Sequence, residues 1–244
     1  MLEGHISKAF DGDLAALHLR ALEMGGLVLD QVREATRAYT DWDGHAAERV
    51  LERAAAVSQY EEGSRRDELA LVARRQPVSR DLKAIFALAR SVAELERAGA
   101  EAHKIARTVL QQGGRPTRTT SADVRHLGQL AANLLRSALE ALDRLDRESA
   151  LAVIARDAEL DAEYAAGLRR LISRAMEDPR ALEVAIEAAF ALKSLERIGD
   201  HARNVARQVQ TITADADDPE AVRAPAAPPA PANPPASASP DPAG

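Results

Sequence analysis

Apolar residues return every three or four positions along most of this chain, the repeat of helices that each bury one face. Leu17, Met24, Leu27, Val28, Val32 and Ala35 mark a first helix from Leu14 to about Tyr39. Asp41-Trp42-Asp43-Gly44 is a turn, with Asp43 placed to cap the next helix. That helix runs from about Gly44 into the mid-seventies on a stripe of Val50, Leu51, Ala54, Val57, Leu69 and Val72, and Pro77 ends it. Ser79 caps a third helix, striped by Leu82, Ile85, Phe86, Ala89, Val92 and Leu95 and ending near Gln111. Gly113-Gly114-Arg115-Pro116 breaks the chain. A fourth helix follows from Val124 to Leu145, capped by Thr120 or Ser121, and a fifth from Asp146 to about Met176. Asp178-Pro179 supplies an N-cap and a proline at the first helical position of a sixth, which ends near Thr213.

The second three helices repeat the first three. At an offset of 103, Asp43 matches Asp146, Ala47 matches Ala150 and Val50 matches Val153. At an offset of 100, Leu82 matches Leu182, Ala89 matches Ala189 and Val109 matches Val209. Breakers, boundaries and core positions agree together, so the fold class expected is all-α: two pseudo-symmetric three-helix bundles. The repeats occupy residues 1–112 and 120–213. Residues 214–244 are rich in Pro and Ala, lack an apolar stripe, and are expected to form a disordered tail.

Composition narrows the chemistry. Hydrophobic residues make up 46% of the chain but aromatics only 3%, so Ala and Leu must build the core, which suits closely packed helices. The absence of Cys excludes disulfides, zinc–thiolate sites, iron–sulfur clusters and thiol nucleophiles. No basic segment leads into an apolar run at the N-terminus and no stretch approaches a membrane span, so a soluble cytoplasmic protein is expected. Of the net charge of −6, Asp215, Asp217, Asp218, Glu220 and Asp241 against Arg223 put −4 in the tail and leave −2 on the rest. A nearly neutral body without a basic block is poor equipment for nucleic acid.

One stretch carries the candidate chemistry. Leu195-Glu196-Arg197-Ile198-Gly199-Asp200-His201-Ala202-Arg203-Asn204-Val205-Ala206-Arg207 repeats Leu95-Glu96-Arg97-Ala98-Gly99-Ala100-Glu101-Ala102-His103-Lys104-Ile105-Ala106-Arg107. Glu196 and Asp200 stand four apart on one helix face, and so do Asp157 and Asp161 on the helix before. Packed antiparallel, these helices would bring four carboxylates together, an arrangement that needs cations. Mg²⁺, Mn²⁺, Ca²⁺ or iron would suit such oxygen ligands, with Asn204 a weaker further ligand and His201 a step off the face. The same spacing also reads as a solvated acidic face paired with Arg197, Arg203 and Arg156. In the first repeat the equivalents of Asp157, Asp161, Asp200 and Asn204 are Ala54, Ser58, Ala100 and Lys104, and of the acids only Glu96 remains. One acidic site, in the second repeat, is therefore expected. In the first, Lys104 could neutralise Glu96, and Glu101 and His103 are the available replacement ligands. Gly99 and Gly199 suit close helix crossings rather than a phosphate loop. No P-loop, dinucleotide fingerprint, HExxH or nucleophile elbow occurs, and no enzyme class is indicated.

The duplicated Leu-Glu-Arg-x-Gly motif, Arg75-Gln76-Pro77 before the third helix, Met24-Gly25-Gly26 and Met176-Glu177-Asp178 together resemble the PhoU family of phosphate-signalling regulators. The resemblance covers roughly residues 1–213. It implies two three-helix bundles and a cytoplasmic, non-enzymatic negative regulator of the phosphate-starvation response. It implies an adaptor linking the ATPase subunit of a phosphate ABC transporter to a sensor histidine kinase, dimeric in many members and peripheral to the membrane. It also implies multinuclear iron or zinc clusters, or Mg²⁺ or Mn²⁺, at E/DxxxD motifs. Carried onto this chain, those ligands are Glu196 and Asp200 with Asp157 and Asp161, and Glu96 alone in the first repeat. The alternative is a carboxylate–metal helical-bundle enzyme or metal store on the same four residues.

Overall fold

A computed structural model describes residues 8–77, 80–111 and 114–214. They form six α-helices: α1 (Lys8–Asp41), α2 (Gly44–Arg75), α3 (Arg80–Leu110), α4 (Arg118–Arg144), α5 (Arg147–Glu177) and α6 (Leu182–Thr213). A single 3₁₀ turn, Pro179–Ala181, leads into α6. The expectations for Ser79 and Gly113, and for the tail beyond Ala214, lie outside the described residues.

Local chemistry sets most boundaries as the sequence suggests. Asp43 accepts from the Ala46 amide, Asp146 from Glu148 and Asp178 from Arg180, each satisfying an orphan donor at a helix start. The α1–α2 and α4–α5 turns are copies of one another. Trp42 and Leu145, 103 apart, both take the left-handed conformation, and the next residue's amide bonds back to Ala38 and Ala141 respectively. Two boundaries differ: α1 starts at Lys8 rather than Leu14, and α4 at Arg118 rather than Val124. Thr117, not Thr120 or Ser121, caps α4 by accepting from the Thr120 amide, so the helix starts before its apolar stripe does. Ser121 instead donates to the Thr40 carbonyl across the repeat boundary.

The helices lie in two layers. α1 and α4 pack antiparallel at the back, and α2, α3, α6 and α5 stand in that order at the front. α2 touches only α1 and α3, and among the helices α5 touches only α4 and α6. The two repeats therefore meet through α1–α4 and α3–α6 and share one continuous apolar core. Two glycines let α1 and α4 approach. A Cβ on Gly25 would stand 2.2 Å from Leu139 Cδ2, and one on Gly128 would stand 2.4 Å from Thr36 Cγ2. These contacts are symmetry mates, since Gly25 corresponds to Gly128 and Thr36 to Leu139 at the offset of 103. An ion pair between the first two helices of each repeat is also duplicated, with its signs exchanged. Arg20 on α1 meets Asp67 on α2 at 2.6 Å, and Asp123 on α4 meets Arg170 on α5 at 2.8 Å.

Two expected core residues are outside it. Leu69 is 67% exposed, because α2 buries Val50, Val57, Ser64 and Leu71, a seven-residue seam that passes it by. Phe86 is 54% exposed: α3 buries Ala84, Ile85, Ala87 and Leu88 on either side, leaving the Phe86 face outward.

Candidate functional site

The duplicated motif sits where α3 and α6 cross at the centre of the front layer. Its small and apolar positions serve packing in both copies. Leu95, Ala98, Gly99, Ala102 and Ala106 are buried, as are Leu195, Ile198, Gly199, Ala202 and Ala206. A Cβ on Gly199 would stand 2.6 Å from Leu160 of α5, and one on Gly99 3.5 Å from Val57 of α2. Val57 and Leu160 correspond; Gly199 seats α5 close against the motif, whereas a Cβ on Gly99 would make ordinary contact with Val57 and crowd Gln31 Oε1 of α1 at 3.2 Å.

The acids of the second repeat are organised by one cation. Asp157 on α5 is 4% exposed and accepts through Oδ2 from Arg203 Nη1. Arg203 Nη2 lies 2.6 Å from Asp200 Oδ1. One guanidinium thus bridges a carboxylate from α5 and another from α6, the fork geometry that suits arginine. Burial pushes the Asp157 carboxyl up. Arg203 opposes this, and the charges of Asp161 and Asp200 add to the rise. For Arg203 burial lowers the pKa, but Asp157, Asp200 and Asp161 outweigh it and hold the guanidinium charged. Asp161 is exposed and acts on this pair only through space. Glu196 turns elsewhere, to Lys193 Nζ at 2.6 Å, and that ammonium lies 5.3 Å from the Tyr164 ring centre. Glu96 is half-buried on α3.

These side chains do not fit a metal centre as they stand. The place between Asp157 and Asp200 that a cation would take is held by Arg203. Among the described residues, no group of three or more His, Asp or Glu side chains comes together in a way that could hold a metal ion. Glu196, one of the four expected ligands, is committed to Lys193. In the first repeat, Ala54, Ser58 and Ala100 stand where the acids would be, and His103 stands where Arg203 does. The acids and the arginine that neutralises them occur together in one repeat and are absent together from the other.

A second polar cluster joins the repeats across the α3–α6 seam. Glu94 Oε2 accepts from Asn204 Nδ2 at 3.1 Å and lies 2.8 Å from His201 Nδ1, while its Oε1 accepts from Arg97 at 2.8 Å. Asn204 therefore faces the seam rather than the acids of α5. Seven residues further along α3, Glu101 Oε1 accepts from Lys104 at 2.7 Å and from Arg197 at 3.3 Å. Lys104 thus neutralises Glu101, not Glu96. Burial pushes both glutamates up. Contacts with His201, Asn204 and Arg97 outweigh it at Glu94, and those with Lys104, Ser194 and Arg197 outweigh it at Glu101, so both carboxyls titrate below the usual range. At the offset of 100, Glu94 corresponds to Ser194 and Glu101 to His201. The Glu94–His201 contact and the approach of Ser194 to Glu101 are consequently one contact seen from its two symmetric ends.

With this geometry in view, the likeness to known proteins is specific. A family model described as the PhoU domain matches the chain twice, over residues 21–109 and 124–209. A Pseudomonas putida protein named phosphate-specific transport system accessory protein PhoU homolog is 39% identical over 219 residues, covering 88% of this chain and 85% of its own length. The Escherichia coli K12 accessory protein PhoU is 32% identical over 204 residues, covering 84% of this chain and 85% of itself. The crystal structure of PhoU from Pseudomonas aeruginosa superimposes with a TM-score of 0.79 at 39% identity, over 83% of this chain and 98% of that one. A Streptococcus pneumoniae PhoU structure gives 0.76 over 83% of this chain and 96% of that one; at 24% identity it speaks for the fold alone.

Proposed function

The chain belongs to the PhoU family of phosphate-transport accessory proteins, and on that premise we propose that it is a negative regulator of phosphate uptake and of the phosphate-starvation response. In this reading it is a cytoplasmic, non-enzymatic adaptor between the ATPase subunit of a phosphate ABC transporter and a phosphate-sensing histidine kinase, working as a homodimer. The observation that carries the reading is the family match across both repeats, on helices that the α3–α6 seam joins into one body. An adaptor transmits a signal when each partner binds one of its states, or one arrangement of the complex, better than another. A body with a shared core passes a displacement of one repeat to the other, and the Glu94 and Glu101 clusters are polar contacts across the seam that such a displacement would strain. Among the described residues no helix is long and apolar enough to cross a membrane, so in this reading contact with the transporter and the kinase is peripheral.

The test is deletion in a strain carrying a phosphate-starvation reporter, with co-purification of the transporter ATPase alongside. Reporter expression in phosphate-rich medium, restored to repression by the full chain, is expected. A reporter that stays repressed without the protein would sink the proposal.

A further inference from the structure

On the back layer, between α1 and α4, lies a cavity of about 410 Å³. Its floor is made of Thr36, Gly128 and Ala132, and its rim carries Arg33, Arg37 and Arg125. The pseudo-symmetry explains why it is open. At the equivalent place Leu139 stands where Thr36 does and lies over Gly25, so the position is filled there. The rim is unequal as well. The counterparts of Arg37 and Asn133 are Glu140 and Asp30, and that of Arg125 is Leu22, while Arg33 and Asp41 answer to Arg136 and Arg144. One end of the α1–α4 contact is thus open, with three arginines against one aspartate, and the other is filled and of mixed charge.

The three arginines are weakly held. Arg37 lies 3.6 Å from Glu34, but that carboxylate already takes Arg49 at 2.8 Å and Arg53 at 2.6 Å. Arg33 lies 3.7 Å from the exposed Asp30, and Arg125 3.2 Å from Asp41, the one acid in the cavity wall. Asn133, also in the wall, accepts from Arg136 through its carbonyl oxygen, which leaves its amide hydrogens to donate elsewhere. The Thr36 and Thr40 hydroxyls donate to backbone carbonyls, so the free donors here are guanidinium and amide N–H groups.

From this we infer that the cavity binds a phosphorylated small molecule, with its phosphate on Arg33, Arg37 and Arg125 and its body on Thr36, Gly128 and Ala132. Guanidiniums lining one cavity match the oxygens of a phosphate once they turn to it, and the surface acids that hold them now are exchangeable partners. The volume is that of a site for a compact organic molecule rather than for a bare oxyanion. None of these residues belongs to the α3–α6 seam, so the inference stands or falls apart from the adaptor reading.

Calorimetric titration of the full chain at low salt with ADP, glucose 6-phosphate, pyrophosphate and inorganic phosphate tests it. At least one of the two organic phosphates should bind with one-to-one stoichiometry and more tightly than inorganic phosphate. The double substitution Arg33→Gln/Arg37→Gln should weaken that binding by at least about tenfold. Thr36→Leu, which copies the residue at the filled end, should abolish it with helical content retained. Binding of no probe, or binding indifferent to both variants, would overturn the site. Inorganic phosphate or pyrophosphate binding as tightly as the organic phosphates would overturn the assignment of an organic body.

Discussion

Arg203 of α6 and Asp157 of α5 form an ion pair at the centre of the second repeat, with the aspartate almost wholly buried and Asp200 on the arginine's other nitrogen. Removing the cation leaves a buried carboxylate facing two other acids. Arg203→Gln should cost about 1–3 kcal/mol, less than for a fully buried pair because the arginine is partly exposed. Adding Asp157→Asn should restore most of the loss. Denaturant titration of both variants checks this, and additive losses would refute the pairing.

The same pair decides metal binding. As Arg203 holds the place of a cation, the wild-type chain should bind Mn²⁺ or Zn²⁺ no more tightly than Asp200→Ala does. Arg203→Gln should gain affinity for them. Metal content after equilibrium dialysis reads this directly. Stoichiometric metal in the wild type that is lost in Asp200→Ala would show that Arg203 swings aside.

Glu94 and Glu101 give the α3–α6 seam a pH dependence. Both carboxyls are held below the usual glutamate range, so the folded state favours their charged forms. The stability they contribute is present above that range and is lost as pH falls through their lowered folded values. Glu94→Gln should therefore lower stability at pH 7 by about 1 kcal/mol. It should also flatten the acid limb of the unfolding midpoint against pH. Parallel acid limbs for variant and wild type would exclude this role.

Neighbouring glycines on α1 should respond oppositely to one methyl group. Gly25→Ala places a Cβ against Leu139 and should destabilise by about 1–3 kcal/mol. Gly26→Ala meets nothing within 4 Å and should gain up to about 1 kcal/mol from helix propensity alone. Thermal midpoints of the two variants, measured together, report on the α1–α4 approach.

The fold was legible because its determinants are local and doubled. The apolar period, the Asp caps and the 103- and 100-residue offsets each point to the same six helices. Leu69 and Phe86 were misplaced because periodicity gives a stripe's direction but not its width, which depends on how many neighbours a helix has. The acids of the candidate site were also visible, and Arg203 stood among their possible partners. Spacing along α5 and α6 does not tell which of Arg156, Arg197 and Arg203 turns inward. That depends on α5 and α3, toward which Arg203 and Arg197 respectively point. Glu94 escaped notice because it precedes the repeated motif by one residue and corresponds to Ser194, so comparison of the two copies does not reveal it. Setting Glu101 against its counterpart His201 would have hinted at a seam, since a carboxylate and an imidazole exchanged across a pseudo-twofold axis are complementary.

The exchanged signs of the Arg20–Asp67 and Asp123–Arg170 pairs bear on how a duplicated chain finds its own partners. Two repeats this alike invite helices to dock in the wrong half. If α5 took the place of α2 beside α1, Arg170 would face Arg20; if α2 took the place of α5 beside α4, Asp67 would face Asp123. Both substitutions set like charges opposite one another, while each native pairing sets unlike ones. The reversal works as an address written on otherwise interchangeable parts, favouring α2 beside α1 and α5 beside α4 over the exchanged arrangement.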